Sequence, residues 1–409
     1  MDELAPLTTL RLMPRRPIVV LLTTLVAVLA AAAPASAAVR TGPAGNAFYT
    51  PPKPLPGKAH GDAIWVRKLT NEQTLAQAKT NLLVLYRSAS VSGKAIAVSG
   101  TIHLPKGKAP KGGWPVVSWA HATSGIGDQC APSRNPGEGA IHAYHVYIEQ
   151  LLDRWLAAGF AVVRTDYEGL GTKGAHPYLV GVSEARGVLD IVRAARQYSR
   201  SVGNRVAVAG HSQGGHASVF TAAIARKYTP DLSLRGAVAF APFSQGDEIL
   251  SSDFYADSSG PRTGYFASFI RGFDAAYPKE KVTSVFNQTG RDLYPYTLSL
   301  CIPEMTGPDS PFASYTPRQL VEGGTIPKRV IDLARANDPS DLRLGAPLLV
   351  EQGEADTTVL PGLTTIMVED LAERGGKVTY KLHENIDHTT VAFGEPQDEA
   401  FSWVSKRLR

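Results

Sequence analysis

One stretch restricts this chain more than any other: residues 206–215, Val-Ala-Val-Ala-Gly-His-Ser-Gln-Gly-Gly. Val206 to Ala209 form an apolar run of the kind that makes a short buried strand. The run leads directly into Gly210-His211-Ser212-Gln213-Gly214, a G-x-S-x-G pattern. Residues 215–225 are mostly small and suit a helix packed close on a sheet. Strand, sharp turn and helix in that order lift a serine hydroxyl above a sheet edge. The glycines matter because a Cβ would clash in so tight a turn. The start of the helix then offers unpaired N–H groups where negative charge develops. A chain with 38 glycines can produce the pentapeptide by chance, so the strand before it and the helix after it carry the weight.

The rest of the chain arranges itself around this elbow. Upstream, residues 64–69, 81–86 and 95–104 read as antiparallel strands with polar turns between them. Residues 116–120 are a buried strand that opens into the loop His121-Ala-Thr-Ser-Gly-Ile-Gly127. A helix is expected over 147–158, with Ile148, Leu151, Leu152 and Trp155 on one face and Gly159 closing it. A strand at 160–165, a loop at 166–171 and a helix at 184–198 follow. Downstream, 234–241 is the next strand, and then the rhythm breaks. Residues 243–341 hold nine prolines and 13 of the 28 Phe and Tyr residues. An aromatic-rich insertion between two sheet strands suits a cap over an apolar pocket; a second core packed with aromatics is the plainer possibility. The rhythm resumes with strands at 347–352 and 377–382, a helix face at Leu363, Ile366, Met367 and Leu371, and a final helix with Phe401 and Val404. Alternating strands and helices imply an α/β fold with a mostly parallel sheet and helices on both faces. The expected organisation is a leader at 1–37, an extended arm at 38–61, a core at 62–242, a cap at 243–341 and the rest of the core at 342–409.

A serine hydroxyl needs a base to take its proton, and the base needs an acid to fix its tautomer and stabilise its charge. Ser, Asp and His in that chain order suit this topology. Ser212 is the candidate nucleophile, Asp356 follows the next-to-last strand, and His388 follows the last. All three then lie at the carboxyl edge of one sheet. Glu354 and Asp387 are the rival acids, and His383 is a weaker candidate base. His211 is expected to support the elbow. An oxyanion needs two converging N–H donors. Gln213 supplies one, and Ala122, in the loop after the 116–120 strand, is the choice for the other. Nothing in this chemistry calls for a metal or an organic cofactor. His142 and His145 could share a helix face, but no third ligand is near in sequence.

The first residues read as an address. Arg11, Arg15 and Arg16 precede an uncharged run from 17 to 33, and Ala35-Ser36-Ala37 is an A-x-A cleavage signal. A secretory signal peptide cut after Ala37 is expected, a retained anchor being the alternative. Export with two cysteines, Cys130 and Cys301, suggests one disulfide. Loss of the leader removes three arginines and two acids, so the net charge falls from +5 to +4. So small an excess, without a basic run, does not indicate nucleic acid.

Taken together, His121-Ala-Thr-Ser-Gly125, Asp128-Gln-Cys-Ala-Pro-Ser133, Asp166-Tyr-Glu-Gly-Leu-Gly171, Gly210-His-Ser-Gln-Gly-Gly215, Gly353-Glu-Ala-Asp356 and Asp387-His388 resemble an α/β-hydrolase of the secretory lipase type. The resemblance runs from about residue 60 onward. It implies ester hydrolysis, often of lipids, with a helical cap between the elbow and the acid. Relatives usually carry glycine where Ala122 stands, a departure that bears on the oxyanion loop alone. The expected function is therefore an exported serine esterase or lipase acting on a small-molecule or lipid ester, with transient contact to a lipid surface. A serine aminopeptidase on the same fold and a catalytically silent binding protein are the alternatives.

Overall fold

Along the central strands apolar residues alternate between two faces, and each face is buried. Val116, Val206 and Val208 belong to one core, whereas Val117, Ala207 and Ala209 belong to another. In the computed structural model, which describes residues 39–409, these strands lie inside a nine-stranded sheet. The leader expected at 1–37 lies outside the described residues. The strands are β1 (Ala63–Lys68), β2 (Ala78–Ala89), β3 (Ala95–Pro105), β4 (Trp114–Ala120), β5 (Ala161–Thr165), β6 (Val202–His211), β7 (Ser233–Phe240), β8 (Leu348–Gly353) and β9 (Val378–His383). Their spatial order is β1-β2-β3-β5-β4-β6-β7-β8-β9. β1, β2 and β3 pair antiparallel, β3 pairs antiparallel with β5, and every later pairing is parallel.

Helices cover both faces. On one, α3 (Gly181–Tyr198) and α4 (Gln213–Tyr228) bury Val188, Ile191 and Val219 against Val116, Val163 and Val206. On the other, α2 (Glu149–Ala157) and the C-terminal helix Gly394–Leu408 bury Trp155, Leu152 and Val404 against Val117, Trp119 and Leu349. Each fully buried side chain of this size contributes about 1.5–3 kcal/mol relative to exposure. The helix expected over 147–158 is α2, and a further short helix, α1 (Gly139–Val146), precedes it. Only α2 carries the Leu151, Leu152, Trp155 and Leu156 stripe that a sequence pattern can register.

The N-terminal arm also departs from expectation. A poorly packed extended segment is expected at 38–61, but it carries a short 3-10 helix at Gly45–Tyr49. Phe48 and Tyr49 are buried against Ile64, Leu85 and Trp65. Two aromatics outweigh the prolines around them, and the Tyr49 hydroxyl donates to the Ser133 carbonyl at 3.0 Å.

Between β7 and β8 the chain leaves the sheet for a set of helices, of which Pro261–Ala276 is the longest. They have a core of their own in which Phe266, Phe269 and Phe273 meet Val285, Phe286, Met305 and Phe312. A disulfide between Cys130 and Cys301, with a Cα–Cα distance of 5.4 Å, ties this segment to the loop after β4. Beside the bond, Ile302 N–H donates to the Ser124 carbonyl at 2.9 Å. Among the described residues no helix is long and apolar enough to cross a membrane.

Candidate active site

β6 ends at His211 and α4 begins at Gln213, so Ser212 alone makes the turn between them. Its φ is 57° and its ψ is −115°, a strained conformation for a residue with a Cβ. Three hydrogen bonds hold it: Ser212 N–H donates to Phe240 O at 2.8 Å, and the N–H groups of His216 and Phe243 donate to Ser212 O at 3.0 and 3.4 Å. The turn is tight enough that a Cβ on Gly214 would meet the Ala120 carbonyl, and one on Gly210 would meet the Gly214 carbonyl. Those two positions therefore require glycine.

Ser212 Oγ lies 3.0 Å from His388 Nε2, and His388 Nδ1 lies 2.7 Å from Asp356 Oδ2. Nδ1–H donates to the carboxylate, which leaves Nε2 to accept from the serine hydroxyl. Asp356 is itself fixed. Its Oδ1 accepts from the N–H groups of Thr358 at 2.8 Å and Val359 at 2.9 Å. Its Oδ2 also accepts from Gln352 Nε2 at 3.1 Å, and Thr364 Oγ1 holds that glutamine by its other end at 2.9 Å. Gln352 was missed by sequence reasoning; the polar pair Glu351-Gln352 closing an apolar strand start was the available signal.

The rival residues are occupied elsewhere. Glu354 is exposed. Asp387 Oδ1 accepts from Thr389 N–H, Thr390 N–H and Thr390 Oγ1, and these bonds to Thr390 hold its carboxyl below the usual range. His383 Nε2 faces Glu351 Oε2 at 2.6 Å. His211 lies beside the triad: its Nε2–H donates to the His388 carbonyl at 2.7 Å, and its Nδ1 accepts from Tyr147 O–H at 2.8 Å. Burial pushes His211 down to about 3, so it stays neutral.

Behind the elbow is a buried network that the sequence did not disclose. Gln213 Nε2 donates to Glu184 Oε1 at 2.8 Å and to His176 Nε2 at 2.7 Å. Glu184 Oε2 accepts from His216 Nδ1 at 2.8 Å, and both side chains are at most 1% exposed. Burial alone would lower His216, but Glu184 outweighs it and the net shift is upward. Gln213 is thus held by its side chain while its backbone N–H sits in the first turn of α4. Ala122 is 2% exposed behind the end of β4. His121 Nδ1–H caps the Ala122 carbonyl at 2.7 Å, and Tyr167 O–H donates to the His121 carbonyl at 3.0 Å. The loop that holds Ala122 is therefore fixed on two sides.

Ser212 and Gln213 open into a cavity of about 520 Å³. Its walls come from Tyr178 and Leu179, from Phe243, Ile249, Tyr255 and Phe269 of the inserted segment, and from Val359, Leu360 and Leu363 after β8. Ala122 does not line this cavity; it lines a much smaller one with Trp119, His145 and Arg164.

Strand order, elbow and insertion define an α/β-hydrolase fold. The family model for secretory lipases matches residues 140–409, and the chain belongs to that family. It is 28% identical over 245 residues to lipase A of Moesziomyces aphidis, across 58% of this chain and 50% of that one. It is 29% identical to a probable inactive lipase of Mycobacterium tuberculosis, across 49% of this chain and 46% of that one. A secreted triacylglycerol lipase of Malassezia furfur is 26% identical across 89% of this chain and 70% of its own. The chain thus spans about half the length of the first two of these relatives. Among solved structures, lipase A of Candida antarctica superposes with a TM-score of 0.72 at 19% identity, over 87% of this chain and 85% of that one. The rice cell wall degrading esterase LipA of Xanthomonas oryzae gives 0.68 at 19% identity, over 86% and 99%. At such identity these likenesses speak to the fold.

Proposed function

We propose that this protein is an exported carboxylic ester hydrolase of lipase type, working through an acyl-enzyme on Ser212. One observation carries the proposal: the Ser212–His388–Asp356 hydrogen-bond chain stands at the wall of a mainly apolar cavity. His388 Nε2 takes the Ser212 proton as Oγ attacks the ester carbonyl. Asp356 keeps Nδ1 protonated and stabilises the imidazolium that forms. The backbone N–H groups of Gln213 and Ala122 are the proposed donors to the oxyanion. His388 then protonates the leaving alcohol, and water repeats the sequence on the acyl-enzyme.

In this proposal residues 243–341 act as the cap. Phe243, Ile249, Tyr255 and Phe269 supply the surface along which an acyl chain lies. Leu360 lines the cavity and is 37% exposed, which places it for contact with a lipid surface. The leader motif and membership of the secretory family support export. Among the described residues the cavity wall carries one carboxylate, Glu248, where an aminopeptidase would need a cluster for the substrate amine. One named relative is a probable inactive lipase; here the serine, histidine and aspartate stand in hydrogen-bond contact, which supports activity.

A series of p-nitrophenyl esters from acetate to long acyl chains, run beside amino-acyl p-nitroanilides, tests the proposal. Each buried CH₂ is worth about 0.8 kcal/mol, roughly fourfold in affinity. kcat/KM should climb over the first several carbons and then level where the cavity ends. Phe269→Ala should flatten that climb while affecting acetate less. A flat profile in the parent protein removes the lipase half of the proposal, and faster anilide cleavage removes both halves.

A further inference from the structure

Away from the triad, three side chains converge at the far edge of the sheet. Glu351 is on β8, His383 ends β9, and Glu399 is on the C-terminal helix Gly394–Leu408. One ligand-type atom from each lies within 4.8 Å of the others. Glu351 is completely buried, and its Oε2 lies 2.6 Å from His383 Nε2. Its other oxygen, Oε1, is buried without a hydrogen-bond partner, and so is Glu399 Oε2. A buried carboxylate oxygen left unpaired is costly. Leu348 to Val350 before Glu351 are apolar, and packing alone gives no reason to carry a carboxylate there.

We infer that Glu351, His383 and Glu399 form a binding site for one divalent transition cation of the zinc class. Zinc takes nitrogen and oxygen donors at about 2.0–2.2 Å in tetrahedral array, so neighbouring donors sit roughly 3.3 Å apart. Glu351 Oε2 and His383 Nε2, 2.6 Å apart, would separate to reach that spacing, with Glu399 within 4.8 Å. The side chains of Glu351 and His383 are 0% and 10% exposed; that of Glu399 is 32% exposed and can adjust. The open side admits the ion and a water as fourth ligand. An imidazole beside two carboxylates favours zinc over calcium or magnesium, which prefer all-oxygen shells. Lys381 Nζ, 3.3 Å from Glu399 Oε1, is the competing cation; its side chain is 47% exposed and free to swing into solvent.

The site shares no residue with the triad. It would clamp β8 and β9, the strands that lead to Asp356 and His388, against the C-terminal helix. Both cysteines are in the disulfide and do not compete for the metal.

The test uses the full chain stripped with EDTA and titrated with ZnCl₂, followed by calorimetry and thermal unfolding. One saturable site and a rise in Tm are expected, with no rise from CaCl₂ or MgCl₂. Glu399→Gln and His383→Gln should each weaken zinc binding by about tenfold or more. Glu399→Gln is at a partly exposed position and should leave the metal-free Tm near the parent value. His388→Gln should leave zinc affinity unchanged. Absence of saturable binding, affinity unmoved by Glu399→Gln and His383→Gln, or affinity lost in His388→Gln would each overturn the inference.

Discussion

At the scale of single residues the molecule is unusual in how many histidines it buries in neutral form. Burial, ahead of every other influence, pushes His121, His145 and His211 down to about 3. Neighbouring positive or protonatable groups push the same way: His145, His176 and Arg164 for His121, Arg164 and His142 for His145, and His388 for His211. In the unfolded chain each titrates near about 6.5. Between those values the unfolded state binds protons that the folded state refuses, so stability falls as pH drops from about 6.5 towards 3. Above 6.5 these residues contribute no slope. In His145→Phe the loss of urea midpoint on going from pH 7 to pH 5 should shrink by up to one proton's worth of slope; a slope equal to the parent's would contradict this. These burials were not legible in the sequence, because a histidine's neighbours come from distant strands. Ser212, Asp356 and His388 were legible because each sits just past a strand end, where chain order alone puts it at one edge of the sheet. Glu351 and Gln352 were hidden within a strand read simply as apolar.

At the scale of elements, strands that alternate between two cores announced themselves, and short helices did not. β6 runs from Val202 to His211, longer than its apolar centre, because parallel pairing with β4 and β7 extends it beyond the hydrophobic run. Between β7 and β8 the helices are mostly too short for a periodic pattern. They persist through packing around Phe266, Phe273 and Met305 and through the Cys130–Cys301 bond. That bond spans a sequence separation of 171 residues. Chain entropy puts its worth at about 5 kcal/mol at most. Cys130→Ala with Cys301→Ala should lower the urea midpoint and loosen the loop that carries Ala122. A midpoint equal to the parent's would show that the helical segment holds without the bond, and free thiols in exported material would deny the bond itself.

At the scale of the whole molecule, a rigid sheet carries Ser212, Asp356 and His388 at one edge, and the inserted helices complete the cavity above them. The division of labour follows from physics. Reacting groups need positions fixed to a fraction of an ångström, which a doubly covered sheet provides. In the proposed function an acyl chain needs apolar area, which the aromatics of the inserted segment would supply. The sheet and its switch from antiparallel to parallel pairing could be read from strand patterning. The shape of the cavity could not, because it depends on how helices without a strong pattern fold over the strand ends. The central claim is that Ser212 is the nucleophile of an ester hydrolase, and labelling with a fluorophosphonate followed by peptide mass mapping tests it most directly. One phosphonyl group per chain should appear on the peptide containing Ser212, with p-nitrophenyl ester hydrolysis lost in step with labelling. Ser212→Ala should remain folded, take up no label, and lose about 10⁴-fold or more in kcat. Hydrolysis that persists after complete labelling, or a label that settles on another residue, would contradict the account.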